Sequence, residues 1–146
     1  MRNRGTKYWI IMASKDHVKN GVADGIAQAC HGKAGPLNKM NKGDFIIYYS
    51  GKQNYMKPEK CQKFTAIGEV KDHEVYPFQI TEDFCPYRRK ITFFESRDTP
   101  ISPLIDNLAF IKNKQYWGYR FRYGFFEINK QDFDLIACQM LTKSYA

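Results

Sequence analysis

Tyr8-Trp9-Ile10-Ile11-Met12 is an unbroken run of aromatic, β-branched and aliphatic residues, and such a run predicts a strand. Ala13-Ser14 ends it and opens a short helical turn through Asp16-His17-Val18, which Gly21 is expected to stop. Over residues 25–30 the small Ala27 and Ala29 alternate with Ile26 and Gln28, which suits a short extended piece leading into a glycine-bearing loop. One helical turn is expected over residues 37–40 after Pro36, and Gly43-Asp44 restarts a strand over residues 45–50. Within that strand successive side chains point to opposite faces, so Tyr48 and Tyr49 cannot both enter the core of a one-sided sheet. One of the two rings is expected to be available to a ligand.

Residues 51–61 are rich in Lys, Gln and Asn and read as an exposed loop. Residues 63–72 alternate, with Phe64, Ala66, Gly68 and Val70 on one face and Thr65, Ile67 and Glu69 on the other; Gly68 marks a bulge or tight bend. Shorter extended pieces are expected over 74–76 and 89–94, separated by Pro77 and Pro86. Pro103 opens a helix over 104–110, with Leu104 and Leu108 on one side. Residues 117–126 read as a strand, aromatic on the face of Tyr119, Phe121 and Tyr123 and basic on the face of Arg120 and Arg122. A last helix has Asn129 as N-cap, Asp132 at its third position and an apolar stripe of Phe133, Ile136, Ala137 and Met140. Several short strands with two or three brief helices predict an α+β fold around a closed or strongly curved sheet, whose mouth is a place for a ligand.

The 146 residues are read as a single domain, 1–146, large enough to bury a core without staples. Hydrophobic residues at 43% and charged residues at 26% are ordinary, but aromatic residues at 16% are dense and make stacking on a ligand a live function. A net charge of +8 and a pI near 9.3 favour a polyanionic partner, of which nucleic acid is the commonest. Cys30, Cys61, Cys85 and Cys138 form no C-x-x-C pair and read as reduced, mostly packed thiols. The apolar run after Arg2, Arg4 and Lys7 is too short for a signal peptide, and nothing has the length of a membrane span, so a cytoplasmic location is expected.

Catalytic chemistry finds little support. Cys30 and His31 are neighbours in an extended segment, point apart and cannot form a dyad. His17, His31 and His73 show no H-x-x-x-H or H-E-x-x-H spacing, and the deaminase pattern is absent. The chain is therefore expected to be a binding protein without metal or cofactor. Gly32-Lys33 lacks the spacing of a P-loop, yet it brings a permissive backbone and a cation to one turn beside His31. Arg88-Arg89-Lys90 follows Pro86-Tyr87, placing guanidinium forks suited to phosphate next to a ring, although a solvated basic turn reads the same way. Arg120 and Arg122 are similarly open to both readings. Trp117, before Gly118, is either a core anchor or the wall of an aromatic pocket, and Trp9 is assigned to the core. Ser14 either caps the turn or, with His17, donates to a ligand.

At these residues the sequence resembles the EVE domain family, part of the PUA-like superfamily that includes the YTH readers of methylated RNA. The likeness runs through Tyr8-Trp9-Ile10, Ser14-Lys15-Asp16-His17-Val18, Gln28, Cys30-His31-Gly32-Lys33, Pro36-Leu37, Gly43-Asp44 and Tyr48-Tyr49-Ser50. It continues through Phe64-Thr65-Ala66-Ile67-Gly68-Glu69-Val70, Pro86-Tyr87-Arg88-Arg89, Pro103-Leu104, Phe110-Ile111, Trp117-Gly118, Phe126-Glu127-Ile128 and Asp132-Phe133. The resemblance implies a curved PUA-like β-barrel of about five to six strands with short flanking helices, and a pocket for a modified base of DNA or RNA. Some members of such families are fused to restriction nucleases and recognise modified cytosine; no fused domain is expected within these residues. Where Pro often follows Tyr-Tyr-Ser in the family, this chain has Gly51, a change expected to loosen the pocket lip.

By the same resemblance, a base leaves its stack and enters the mouth of the barrel. Tyr48 or Tyr49 and Trp117 supply stacking faces. Ser14, His17, Gln28 and His31 read the base edge, while Gly32 and Ser50 belong to the lining. Lys33, Arg88, Arg89 and Arg120 meet the backbone. The partner is then nucleic acid bound by a monomer, with no membrane. The alternatives are a sensor or enzyme for a small anionic metabolite or nucleotide in the same basic cleft, and an interaction module for an acidic protein.

Overall fold

A computed structural model describes residues 5–29 and 32–142. The element order is β1 (Tyr8–Met12), α1 (Lys15–Asp24), β2 (Ile26–Ala27), α2 (Ala34–Asn38), β3 (Phe45–Lys52), β4 (Lys60–Val70), β5 (Tyr76–Pro77), β6 (Tyr87–Phe93) and β7 (Thr99–Pro100). Two 3-10 helices follow, Ser102–Asn107 and Tyr119–Tyr123, then β8 (Phe125–Ile128) and α3 (Lys130–Met140). The fold is α+β, with a curled half-barrel sheet whose main path is β2-β6-β4-β3-β1-β8; β5 adds to β6 and β7 to β4. β1 and β3 run parallel, Tyr8 against Phe45 through Met12 against Tyr49, and the neighbouring pairs are antiparallel.

Both faces of the central strands are buried. On β3, Ile47 and Tyr49 join one apolar cluster, which α3 covers with Phe133, Ile136, Ala137 and Met140. Ile46 and Tyr48 join a second, closed by Val18 of α1, by Leu37 of α2 and by Met40 just beyond it. The expectation that one of Tyr48 and Tyr49 is left for a ligand is therefore corrected. The unbroken apolar run over 45–49 is the pattern of a strand covered on both sides, and not of a one-sided sheet. Tyr49 stacks on Phe121 with ring centroids 4.0 Å apart, and Tyr48 lies 6.4 Å from the ring of Phe93.

The register of β3 against β4 shifts between Tyr48–Ala66 and Tyr49–Phe64, so Thr65 is the extra residue of a bulge. The slip puts Phe64 and Ile67 in the α3-side cluster and Ala66 and Val70 in the other, replacing the simple alternation read from sequence. Gly68 is a point of close approach: a Cβ there would sit 2.7 Å from both Ile91 Cγ2 and the Thr92 carbonyl oxygen of β6. β3 itself continues through Gly51 to Lys52, paired with Lys60, so Gly51 lies in the strand, at a second shift of register, and not in a loop.

Three local expectations are revised. α1 runs past Gly21, whose Cα lies against the Ile26 carbonyl, and ends at Gly25, which takes the left-handed φ of 67°. The expected helix over 104–110 is a 3-10 helix ending at Asn107, although Leu104 and Leu108 are buried as expected. It stops because the buried Asp132 carboxylate accepts the amides of Ala109 (2.8 Å) and Phe110 (2.9 Å), which a continuing helix needs for itself. The expected strand over 117–126 is a 3-10 helix closed by Gly124 at φ 75°, with strand only from Phe125. α3 starts as read, with Asn129 Oδ1 accepting the Asp132 amide at 2.7 Å.

Candidate functional site

Asp44, at the start of β3, is a buried carboxylate that accepts from the Lys7 amide (3.0 Å), the Asn41 amide (2.8 Å) and Trp9 Nε1 (3.0 Å). Three donors repay its loss of water, and they tie β1 to β3 while holding Trp9 in the core. With the two parallel strands fixed, their carboxyl ends lie together, where the Ala13 amide donates to the Tyr49 carbonyl. Ser14 follows and α1 begins. Ser14 makes no cap bond; its hydroxyl donates to Asp16 Oδ1 at 2.5 Å. Asp16 also accepts the amides of His17 and Tyr55, which docks the 53–59 loop on the helix start. These bonds, led by that of Ser14, hold the Asp16 carboxyl below its ordinary pKa. His17 is exposed and stacks on Tyr55, centroids 5.1 Å apart. Ser50 is fully buried and shares a 2.7 Å hydrogen bond with Thr65 at the bulge, so it faces no ligand.

A second group forms where β2 meets β6. The Tyr48 hydroxyl donates to the Gln28 carbonyl at 3.2 Å and accepts the Gln28 amide at 3.3 Å. Burial pushes this phenol far above its ordinary pKa, with the bond to Gln28 opposing only in part, so it is a neutral hydroxyl that positions Gln28. The Gln28 side chain accepts from Arg88 Nε at 2.8 Å, and the Arg88 guanidinium carbon lies 4.1 Å from the centroid of Phe78. Gly32, at φ 83°, abuts Pro86 so closely that a Cβ would fall 2.5 Å from its Cβ. That contact sets the exposed Lys33 near the Tyr87-Arg88 end of β6. Phe78, Ile80, Phe84 and Tyr87 are all exposed here, and Lys90 Nζ lies 6.0 Å from the Tyr76 ring. His31 and Cys30 lie outside the described residues.

Arg89 leaves β6 on the other side. It is 1% exposed, and its guanidinium donates to Asp72 Oδ1 (2.6 Å), to the Leu37 and Met40 carbonyls (2.8 and 2.7 Å) and to the Asp72 carbonyl (3.0 Å). It clamps the end of α2 to the sheet, and its expected role at phosphate is withdrawn because every nitrogen is engaged inside the protein. Trp117 and Arg120 are also separated from Gln28. They belong to the α3-side face, where Trp117 packs on the first cluster and the Arg120 guanidinium lies 4.9 Å from the Phe126 ring. The sequence-derived set thus divides into a helix-start group (Ser14, His17), a β2–β6 group (Gln28, Gly32, Lys33, Arg88), core residues (Tyr48, Tyr49, Ser50, Arg89) and the separate pair Trp117 and Arg120. The expectation of mostly packed thiols also fails among the described cysteines, since Cys61 is buried but Cys85 and Cys138 are exposed.

The EVE domain family model matches residues 7–139. The chain belongs to the EVE domain family. Among relatives of this EVE domain, the "UPF0310 protein in gntR 5'region" of Bacillus licheniformis is 57% identical over 88% of this chain and 87% of its own. A UPF0310 protein of Mycolicibacterium gilvum is 49% identical over 90% and 94%, and the UPF0310 protein YdcG of Bacillus subtilis 42% over 92% and 92%. Among solved structures, a hypothetical protein from Leishmania major superposes on this EVE domain with a TM-score of 0.59 over 94% and 96% of the two chains at 11% identity. A Rhodopseudomonas palustris protein solved by NMR gives 0.54 over 92% of each chain at 15% identity. These two likenesses are of fold. Among the described residues no helix is long and apolar enough to cross a membrane, and no group of His, Cys, Asp and Glu is placed to hold a metal ion.

Proposed function

We propose that this EVE domain is a nucleic-acid-binding module that reads a modified base, and that its contact surface is the β2–β6 group. The observation that carries this reading is the fixing of Arg88: its guanidinium is bonded to Gln28 and packed on Phe78 at a surface rich in exposed rings and lysines. A guanidinium held in this way loses little freedom when it meets a phosphate, and exposed rings are stacking platforms that cost nothing to uncover. Gln28 is anchored at its backbone by Tyr48, so its amide is presented at a fixed height for the edge of a base, the pairing chemistry that Gln offers adenine and other amino-bearing edges. A base inside a duplex cannot reach such a group, so it is read from a single strand or after extrusion. Stacking then comes from Phe78, Phe84 or Tyr87, not from Tyr48 or Tyr49. The module acts by binding and performs no reaction, and a net charge of +8 supplies the long-range attraction.

The test is equilibrium binding to short single- and double-stranded oligonucleotides, unmodified or carrying methylated or hydroxymethylated bases, at two salt concentrations. Preference for one modification that persists at the higher salt supports base reading. Uniform, steeply salt-sensitive binding reduces the function to backbone contact. No binding to any oligonucleotide overturns the proposal.

A further inference from the structure

The α3-side face of the sheet carries a cleft of about 610 Å³ that has no part in the surface around Arg88. Phe110 and Phe126 belong to the apolar cluster beneath it, and Tyr116, Trp117, Tyr119 and Tyr123 line it. Its size falls in the range of small-ligand sites, roughly 300–1,000 Å³. Two of its described lining residues, Lys112 and Arg120, are cations, and none is a carboxylate. Tyr116, Tyr119 and Tyr123 are 64%, 58% and 57% exposed, while Phe121 on the same turn is buried. The turn therefore anchors by one ring and holds its neighbours in water, an arrangement that a purely structural turn does not require.

The cleft is braced from behind. Lys114 Nζ donates to the carbonyls of Ile105 (3.0 Å), Leu108 (3.1 Å) and Ile111 (2.8 Å), gathering the irregular loop around one ammonium. Asp132 holds the amides of Ala109 and Phe110, and Asn113 Oδ1 accepts those of Gln115 (3.0 Å) and Tyr116 (3.3 Å), which fixes the backbone that carries the Tyr116 ring. Arg120 is supported on the face of Phe126. Rings and cations are thus placed before any ligand arrives.

We propose that this cleft binds a nucleotide, with its base stacked on Trp117 and the tyrosines and its phosphate on Arg120 and Lys112. Surplus ring faces select a flat heteroaromatic group, paired cations without a carboxylate select an anion, and a nucleotide joins the two at the span of such a cleft. The site is a second one, lined by none of the residues of the base-reading surface, and it does not depend on that reading. A free mononucleotide and a nucleotide within a single strand share this chemistry.

The chain has two tryptophans, of which Trp9 is buried, so the two indole N–H signals of a ¹⁵N-labelled sample separate the cleft from the core. Titration with AMP and CMP, with adenosine and cytidine, and with a short single-stranded oligonucleotide is expected to move the Trp117 indole signal, assigned by Trp117→Phe, and to leave that of Trp9 in place. The nucleosides should bind about tenfold or more weakly than the nucleotides, and Arg120→Gln with Lys112→Gln should bring nucleotides down to the nucleoside level. An oligonucleotide acting at lower concentration than the mononucleotides assigns the site to a strand; the reverse assigns it to free nucleotide. If neither moves the Trp117 signal at millimolar concentration in protein whose spectrum is folded, or if nucleosides bind as well as nucleotides, the proposal is wrong. Because Arg88→Gln leaves the cleft intact, weaker oligonucleotide binding in that variant with the Trp117 response to mononucleotide retained separates the two sites.

Discussion

On β6 the side chains of Arg88 and Arg89 leave the strand in opposite directions, the first to a surface of rings and lysines and the second into a nest of carbonyls around Asp72. Replacing Arg89 by Met leaves Asp72 without its charge partner and removes the guanidinium from the Leu37 and Met40 carbonyls, the first of which keeps the Met40 amide, at an expected cost of about 3–5 kcal/mol in urea unfolding. Arg88→Gln should cost about 1 kcal/mol or less, since only one hydrogen bond and a ring contact at the surface are lost. Asp44→Ala strands the Trp9 indole N–H and two amides, and a loss of about 1–3 kcal/mol is expected in the same measurement. The dipeptide Arg-Arg does not by itself say which residue is which. The alternation Arg89-Ile91 against Arg88-Lys90-Thr92 does, once β6 is known to have one buried face. The buried carboxylates Asp44 and Asp132 and the half-buried Asp72 gave no such sign, because most of their partners are backbone amides and side chains far away in the chain.

α3 and β1 were legible because a cap residue and an apolar stripe, or an unbroken β-branched run, are local signals. Asn129→Ala removes that cap bond and should destabilise by about 1 kcal/mol. Residues 117–126 misled because alternation of ring and charge also fits a 3-10 turn bracketed by Gly118 and Gly124. At the start of α1 the docking of the 53–59 loop rests on Asp16. Its folded pKa lies below the ordinary carboxylate value, so the stabilisation is fully present above that ordinary value and is lost as pH falls through the lower, folded one. The Tyr55 amide and His17 ring signals should therefore shift together in the acid range below about pH 4. In Asp16→Asn this joint transition should be absent, and its persistence there would assign the docking to another group.

At the scale of the molecule, the curved sheet, the family and the basic balance could all be read from the chain, whereas the division of the candidate binding residues into separate groups could not. That division follows in part from burial of β3 on both sides, which turns Tyr48 and Tyr49 into core and leaves Trp117, packed on the α3-side cluster, apart from Gln28 at the edge where β2 meets β6. The proposed base reading separates two effects. Loss of a phosphate contact weakens all sequences alike and lowers the salt dependence, whereas loss of a base contact changes selectivity. The most direct measurement is the salt dependence of oligonucleotide affinity for the wild type and Arg88→Gln. The account predicts a slope of log K against log salt that is shallower by about 0.7–0.9 in the variant, with preference among modified bases retained. An unchanged slope, with or without altered selectivity, would contradict it.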